Sequence, residues 1–170
     1  MSTEVLIVVS TRGDSAGEIV VGVDGSVQSR AALQWAARQA RLTGAAVHAI
    51  TVLEHQAAYE RGPTLPYEES AATAREVLTE TVRDAVGPGP DVEIRESVRP
   101  GHPAQILVDA SRDARALVVG SHGVGGFVGA LLGSVSQHCA HHAHCPLVII
   151  PGDRSVATRP ATRSAAAPRP

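Results

Sequence analysis

The 170-residue chain contains no lysine and no asparagine, and its 15 basic residues are all arginines. Without lysine it has neither the phosphate-binding lysine of a P-loop nor a Schiff-base nucleophile, and without asparagine it has no N-glycosylation site. Aromatic side chains make up only 2% of the chain. That is too few for a platform on which the bases of RNA or single-stranded DNA stack. Nucleic acid is therefore not an expected partner.

Cysteines and long hydrophobic runs are equally scarce. Cys139 and Cys145 are the only cysteines, too few for the disulfide framework of a small secreted protein. The apolar run at residues 5–9 is too short for a signal peptide and far too short to span a bilayer. The sequence therefore predicts a cytoplasmic protein without a membrane segment.

Short apolar runs alternate with helical stripes along the chain. Continuous runs lie at residues 19–23, 47–53, 117–119 and 147–150, with an alternating run at 92–98. Such continuous runs are typical of strands buried on both faces of a parallel sheet. Residues 5–9 form a sixth candidate strand.

Between the runs, apolar residues recur at helical spacing. The first stripe includes Leu33 and Ala40, with Ser26 as its N-cap and Gly44 as its stop. Further stripes cover residues 71–85 and 103–114, and a fourth helix is expected to begin at residues 133–134. Strands separated by helices predict the α/β class with a doubly wound parallel sheet.

In such a sheet, ligands bind beyond the carboxyl ends of the strands, where the strand order reverses. Asp24 and the segment from Gly120 onward are expected to meet there. Gly120 opens a glycine-rich loop that leads from a strand to a helix. Backbone amides and a helix N-terminus at such a place can bind an anion, although a flexible connection is the simpler interpretation.

The glycine spacing is more specific. Gly120, Gly123 and Gly133-Ser134 follow the pattern G-x2-G-x9-G-[S/T], which resembles the nucleotide motif of the universal stress protein family. Residues 19–26 resemble that family's first strand and turn, residues 31–36 its first helix and residues 145–150 its last strand. The resemblance implies one domain at residues 18–151. Outside it lie an N-terminal extension at 1–17 with a strand-like run and a disordered basic tail at 152–170.

The resemblance also implies a five-stranded sheet of order 3-2-1-4-5 that binds ATP with Mg²⁺. Asp24 considered alone would be a turn residue that caps beside Ser26, but together with the matched glycine motif it is expected to approach the ribose or a phosphate-bound metal. Val52 would hold the adenine through its backbone. The full set of implied binding residues is Gly22, Asp24, Val52, Gly120, Ser121, Gly123, Gly126, Gly133, Ser134 and Val135. The loop departs from many relatives because residues 123–132 contain no basic side chain.

Several alternatives remain open from the sequence. The favoured function is a stress-linked regulatory binding module, and the rivals are a slow ATPase, an autophosphorylating enzyme using Ser134 or Ser136, and a cyclic AMP binder. His138 and His142 share a helical face, but we expect no metal site because no ligands of a closed site lie nearby in sequence. The apolar edge strand at residues 147–150 predicts a homodimer through antiparallel pairing of that strand.

Overall fold

The structure is a computed structural model that describes residues 6–8, 17–54, 67–87, 92–124 and 132–152. Its elements in chain order are β1 Leu6–Val8, β2 Ile19–Gly22, α1 Val27–Thr43, β3 Val47–Leu53, α2 Tyr67–Val86, β4 Ile94–Pro100, α3 Pro103–Ala110, β5 Ala116–Gly120, α4 Ser134–His142 and β6 Leu147–Ile150. No helix in these ranges is long and apolar enough to cross a membrane.

The six strands form one sheet of order β1-β6-β5-β2-β3-β4. The strands β2 to β6 are parallel to one another, and counted from β2 they follow the order 3-2-1-4-5. The predicted doubly wound five-stranded sheet is therefore confirmed. The strand order reverses between β2 and β5, so the ends of these two strands define the place where a ligand is expected.

The apolar side chains of the strands supply two cores, one on each face of the sheet. The first core packs Val21 of β2 against Leu33 of α1 and Leu78 of α2. The second packs Val20 of β2 against Leu107 of α3 and against side chains of α4. Successive residues of a strand point to opposite faces, so burial on both faces requires continuous apolar runs.

Local capping explains where α1 begins and ends. The Oγ of Ser26 accepts a hydrogen bond from the backbone N–H of Ser29 at 3.1 Å. Gly44 follows the helix with φ of 69°, a left-handed conformation that glycine adopts without steric cost. Both predicted ends of this helix are confirmed.

Two element bounds differ from the sequence prediction. The strand expected at residues 92–98 spans Ile94–Pro100, because seven of its residues pair in register with the seven residues of β3. The helix expected to reach residue 114 ends at Ala110, where Ser111 turns back and its Oγ donates to the carbonyl of Val108 at 2.6 Å. Alternation and helical spacing predict the elements, but pairing and capping decide their ends.

The edge strand β6 is not exposed in this structure. Leu6, Ile7 and Val8 pair antiparallel with Ile149, Val148 and Leu147. The strand-like run of the N-terminal extension therefore occupies the edge that the predicted homodimer would use. The prediction of an open apolar edge at Leu147–Ile150 is wrong here, because an earlier part of the same chain completes the sheet.

Candidate functional site

Asp24 joins the two segments that were expected to meet at the carboxyl ends of the strands. Its Oδ1 accepts a hydrogen bond from the backbone N–H of Ser26 at 3.0 Å. Its Oδ2 accepts one from the backbone N–H of Val124 at 2.9 Å. One carboxylate thus fixes both its own turn and the start of the glycine-rich loop after β5.

The hydrogen bonds also keep Asp24 ionised. Partial burial alone would raise the pKa of its carboxyl group, but hydrogen bonds from Ser26, Val124 and Ser29 together lower it below the ordinary value of 3.8. A carboxylate that accepts several N–H and O–H donors is stabilised in its charged form. Asp24 therefore places a negative charge at the exposed edge of the sheet at neutral pH.

Three of the predicted glycines lie where a side chain would collide with a neighbour. A Cβ at Gly123 would lie 2.5 Å from Oδ2 of Asp24. A Cβ at Gly22 would lie 2.8 Å from Leu107 Cδ1, and one at Gly120 would lie 2.7 Å from the Cβ of Gln28. Close approach of the backbone, rather than flexibility, accounts for glycine at these positions.

The base of the glycine-rich loop is closed by Ser121. Its carbonyl accepts hydrogen bonds from the N–H of Gly133 at 2.7 Å and from the Oγ of Ser136 at 2.9 Å. Its Oγ accepts one from the N–H of Gly152 at 3.1 Å. Ser121 is buried, and these hydrogen bonds hold the two ends of the loop together; its predicted contact with a ligand stays a prediction.

A cavity of about 90 Å³ opens beside this arrangement. Five of the predicted binding residues line it: Gly22, Asp24, Val52, Gly120 and Gly123. Its other lining residues are Val23, Ser26, Ser29, Ile50, Pro103, Leu107, Val119 and His122. Ligand pockets usually measure some 300 Å³ or more. The described cavity therefore has room for part of a ligand, and the remainder would lie along the loop.

Sequence reasoning missed the apolar wall of this cavity. Leu107 and Pro103 belong to α3, which is distant in sequence from β2, and Ile50 lies inside β3. The sequence did offer one clue, which is the position of Pro103: it begins a helix directly after β4, a strand whose carboxyl end lies at the same edge of the sheet as the cavity. Helix N-termini and strand ends converge at this edge in a doubly wound sheet.

The remaining predicted residues lie elsewhere or outside the described ranges. Gly133, Ser134 and Val135 form the start of α4 and do not line the cavity, while residue 126 lies outside the described residues. Ser136, a candidate phosphate acceptor, is buried, and its Oγ donates to the carbonyls of Ser121 and Gly133. Ser134 is exposed.

A second, larger cavity adjoins the first. It measures about 350 Å³ and shares Val23 and Asp24 with the smaller cavity. Its further walls come from β3 and α2, with Leu53, Val77 and Leu78 as the larger apolar side chains. The end of β2 thus separates two cavities, one toward α3 and one toward α2.

The histidines of α4 pack against one another. The ring centroids of His138 and His142 are 4.4 Å apart, with the rings tilted by 43°. Within the described ranges, no group of three or more His, Cys, Asp or Glu side chains is arranged to hold a metal ion. Cys139 and Cys145 are free and buried, and burial raises the pKa of each thiol to about 11.

These features define a doubly wound α/β protein whose candidate site lies at the carboxyl ends of its central strands. The model of the universal stress protein family matches residues 6–151. The chain therefore belongs to the universal stress protein family. The match includes β1 and continues to the residue after β6.

Relatives in mycobacteria support this assignment. A universal stress protein of Mycolicibacterium smegmatis is 35% identical over 145 residues, which are 82% of this chain and 49% of that protein. One of Mycobacterium tuberculosis is 32% identical over 155 residues, 87% of this chain and 52% of that protein. The chain thus spans about half the length of the curated relatives it matches.

Solved structures show the same fold. A universal stress protein from Lactobacillus plantarum superposes with a TM-score of 0.67 at 21% identity, covering 81% of this chain and 99% of that one. A universal stress protein in complex with cAMP has a TM-score of 0.58 at 26% identity, covering 80% and 98%. One from Archaeoglobus fulgidus in complex with dAMP has a TM-score of 0.51 at 24% identity, covering 79% and 97%.

Proposed function

We propose that this protein binds ATP at the carboxyl ends of β2 and β5 and acts as a stress-linked regulatory binding module. The observation that carries the proposal is the hydrogen bond from Val124 N–H to Asp24 Oδ2 at 2.9 Å, which sets the glycine-rich loop beside a cavity. Two structural relatives hold adenine nucleotides, cAMP and dAMP, which supports an adenine nucleotide as the ligand class.

The cavity suits a base better than a phosphate. Val52, Ile50 and Leu107 give it apolar walls, against which a flat aromatic base can pack away from water. The phosphates would then lie toward Gly123 and the loop. Because residues 123–132 carry no basic side chain, backbone amides and the N-terminus of α4 would supply the favourable electrostatics.

Asp24 fits the role of a magnesium ligand in the bound state. Each carboxylate oxygen accepts one described backbone N–H, and the hydroxyls of Ser26 and Ser29 add side-chain hydrogen bonds that a metal ion would have to replace. Mg²⁺ in nucleotide sites commonly takes one or two carboxylates together with phosphate oxygens. Magnesium would neutralise charge on the phosphates that the loop does not neutralise.

The test is calorimetric titration with ATP, ADP, dAMP and cAMP, each with and without Mg²⁺. Gly123→Asp places a Cβ and a second negative charge against Asp24, so we expect it to weaken ATP binding by roughly tenfold or more. Leu42→Asp is the matched control, because it adds the same charge at an exposed position at the far end of α1. Equal ATP affinity in wild type and a folded Gly123→Asp variant would refute the site.

The ligand panel separates ATP from its closest rival. Cyclic AMP carries a single phosphate charge and would suffer least from a loop without a cation. Tighter binding of cAMP than of ATP in the presence of Mg²⁺ would identify a cyclic nucleotide, instead of ATP, as the ligand. Incubation with γ-labelled ATP tests the enzymatic alternative, and label on Ser134 or in free phosphate at a steady rate would favour it.

We further propose that self-association through β6 requires β1 to leave the edge. The three pairs between β1 and β6 use the edge that a second copy would need. A variant lacking residues 1–8 exposes the apolar strand Leu147–Ile150 and is expected to form dimers that wild type does not form. Ile149→Arg in the shortened chain is the control, and sedimentation at micromolar concentration reads the result.

A further inference from the structure

Four polar side chains, three on β3 and β4 and one directly before β2, form a connected group remote from the glycine-rich loop. The group, here termed the β3–β4 cluster, consists of Glu18, His48, Arg95 and Ser97. His48 Nε2 lies 2.9 Å from Ser97 Oγ, and His48 Nδ1 lies 3.4 Å from Glu18 Oε2. Arg95 Nη1 lies 2.8 Å from the other carboxylate oxygen of Glu18. The imidazole of His48 therefore lies between a carboxylate and a hydroxyl and contacts both.

The register of the two strands creates this contact. His48 is paired with Arg95, and Ser97 lies two residues further along β4 on the same face. Diagonal neighbours on one face of a sheet are within reach of long side chains, and imidazole bridges that distance. The side chain of His48 is only 12% exposed, while Ser97 is partly exposed on the edge strand.

The partners favour one tautomer of His48. A carboxylate has no proton to donate, so with the hydrogen on Nδ1 beside Glu18, Nε2 is the nitrogen that accepts from Ser97 O–H. Burial lowers the pKa of His48, and Arg95 and Arg99 lower it further, while Glu18 opposes them. The ring is therefore neutral at pH 7, with its free lone pair directed at a serine hydroxyl.

We propose that Ser97 is a nucleophile activated by His48 and that it becomes acylated by activated esters. Ser97 Oγ bonds to the acyl carbon while its proton passes to His48 Nε2. The bond between the acyl carbon and the leaving oxygen or sulfur then breaks, and the leaving group takes its electron pair and the proton from His48. The products are an acyl ester on Ser97, a free alcohol or thiol, and neutral His48.

The surroundings restrict the acyl donor. The guanidinium of Arg99, two residues away on the same face of β4, is a cation that could stabilise negative charge on the acyl oxygen. Only donors with good leaving groups, such as aryl esters and thioesters, are expected to react.

The experiment is acylation of the intact protein by p-nitrophenyl acetate, with release of nitrophenol and the acetylated peptide as separate readouts. Wild type is expected to acetylate Ser97, and Ser97→Ala is expected to lose that adduct. His48→Gln retains a polar side chain but no base, and we expect it to slow acylation roughly 100-fold. Ser70→Ala, a serine of α2 outside the cluster, is the control and is expected to match wild type.

Glu18 acts here as a positioning residue, and its test is a pH profile. Glu18 raises the pKa of His48, whereas Arg95 and Arg99 lower it. Glu18→Gln should therefore lower this pKa further, so the pH at which acylation reaches half its maximal rate is expected to fall. Circular dichroism confirms that each variant is folded. The absence of an acetyl adduct on Ser97 in folded wild type, or equal rates of Ser97 acetylation in folded wild type and His48→Gln, would overturn the proposal.

Discussion

The two ends of β3 carry polar chemistry of different kinds on the same face of the sheet. At the carboxyl end, Val52 faces a cavity where Asp24 and backbone amides form the polar surface. Toward the amino end, His48 contacts Glu18 and Ser97 through side chains alone. Backbone amides suit a ligand of fixed charge, whereas a neutral imidazole suits proton transfer. A single strand therefore carries two different polar environments on one face, one near each end.

The largest expected difference between these ends is in nucleotide affinity. Asp24→Ala removes the acceptor for the N–H groups of Ser26 and Val124 and leaves the loop less ordered. We expect ATP affinity to fall about tenfold, the equivalent of one or two hydrogen bonds. His48→Gln, at the other end of β3, is expected to leave the affinity unchanged, and calorimetry measures both.

The Asp24→Asn variant sharpens that result. The amide side chain keeps one oxygen acceptor but has no charge. If the Asp24→Asn variant retains most of the affinity in the presence of Mg²⁺, hydrogen bonding to the loop is the main role of the residue. If Asp24→Asn and Asp24→Ala weaken binding equally, the charge acts on the metal or the ligand.

The two ends should also differ in the pH range over which they affect stability. Both Asp24 and His48 have lowered pKa values in the folded protein. The stability from Asp24 is present above pH 3.8 and is lost as the pH falls through its lowered pKa. The stability from neutral His48 is present above pH 6.5 and is lost as the pH falls through its own lowered pKa.

This difference can be measured by thermal unfolding of wild type, His48→Gln and Asp24→Asn between pH 3 and pH 8. Wild type is expected to lose stability relative to His48→Gln as the pH falls below 6.5, and relative to Asp24→Asn only below 3.8. Coinciding pH ranges for the two variants would contradict the separate titration of the two ends.

The smallest expected effect concerns the C-terminal segment. Its first residue, Gly152, donates its N–H to Ser121 Oγ at 3.1 Å at the base of the glycine-rich loop. A chain that ends at residue 152 is expected to keep wild-type stability, because residues 153–170 are poor in apolar side chains. A chain that ends at residue 151 should lose about 1 kcal/mol in the free energy of unfolding. Equal denaturation midpoints would show that this bond contributes nothing.

The sequence predicted the carboxyl end of the sheet because its features are local. Glycine spacing, a strand end and a capping serine each depend on neighbouring residues, and they placed Asp24 and Gly123 together correctly. The hydrogen bonds of Ser121 to Gly133 and Gly152 could not be predicted from the sequence, because these residues come close only once the loop and β6 are in place.

The β3–β4 cluster could not be predicted in the same way. Its contact between His48 and Ser97 depends on the register of two strands joined by a long helical connection. The one available signal was a histidine inside an apolar run, because a buried imidazole needs hydrogen-bonding partners. That signal says that partners exist without saying which residues they are.

The pairing of β1 with β6 also sets an order of events during translation. Leu6 lies in the strand that precedes the other five along the chain, yet its partner Ile149 belongs to the last of the six. Every other strand can join a neighbour while synthesis continues, because β3 follows β2 and β4 follows β3. The nascent N-terminal segment must wait until β6 has emerged and docked beside β5. The first strand to be made is consequently the last to be incorporated.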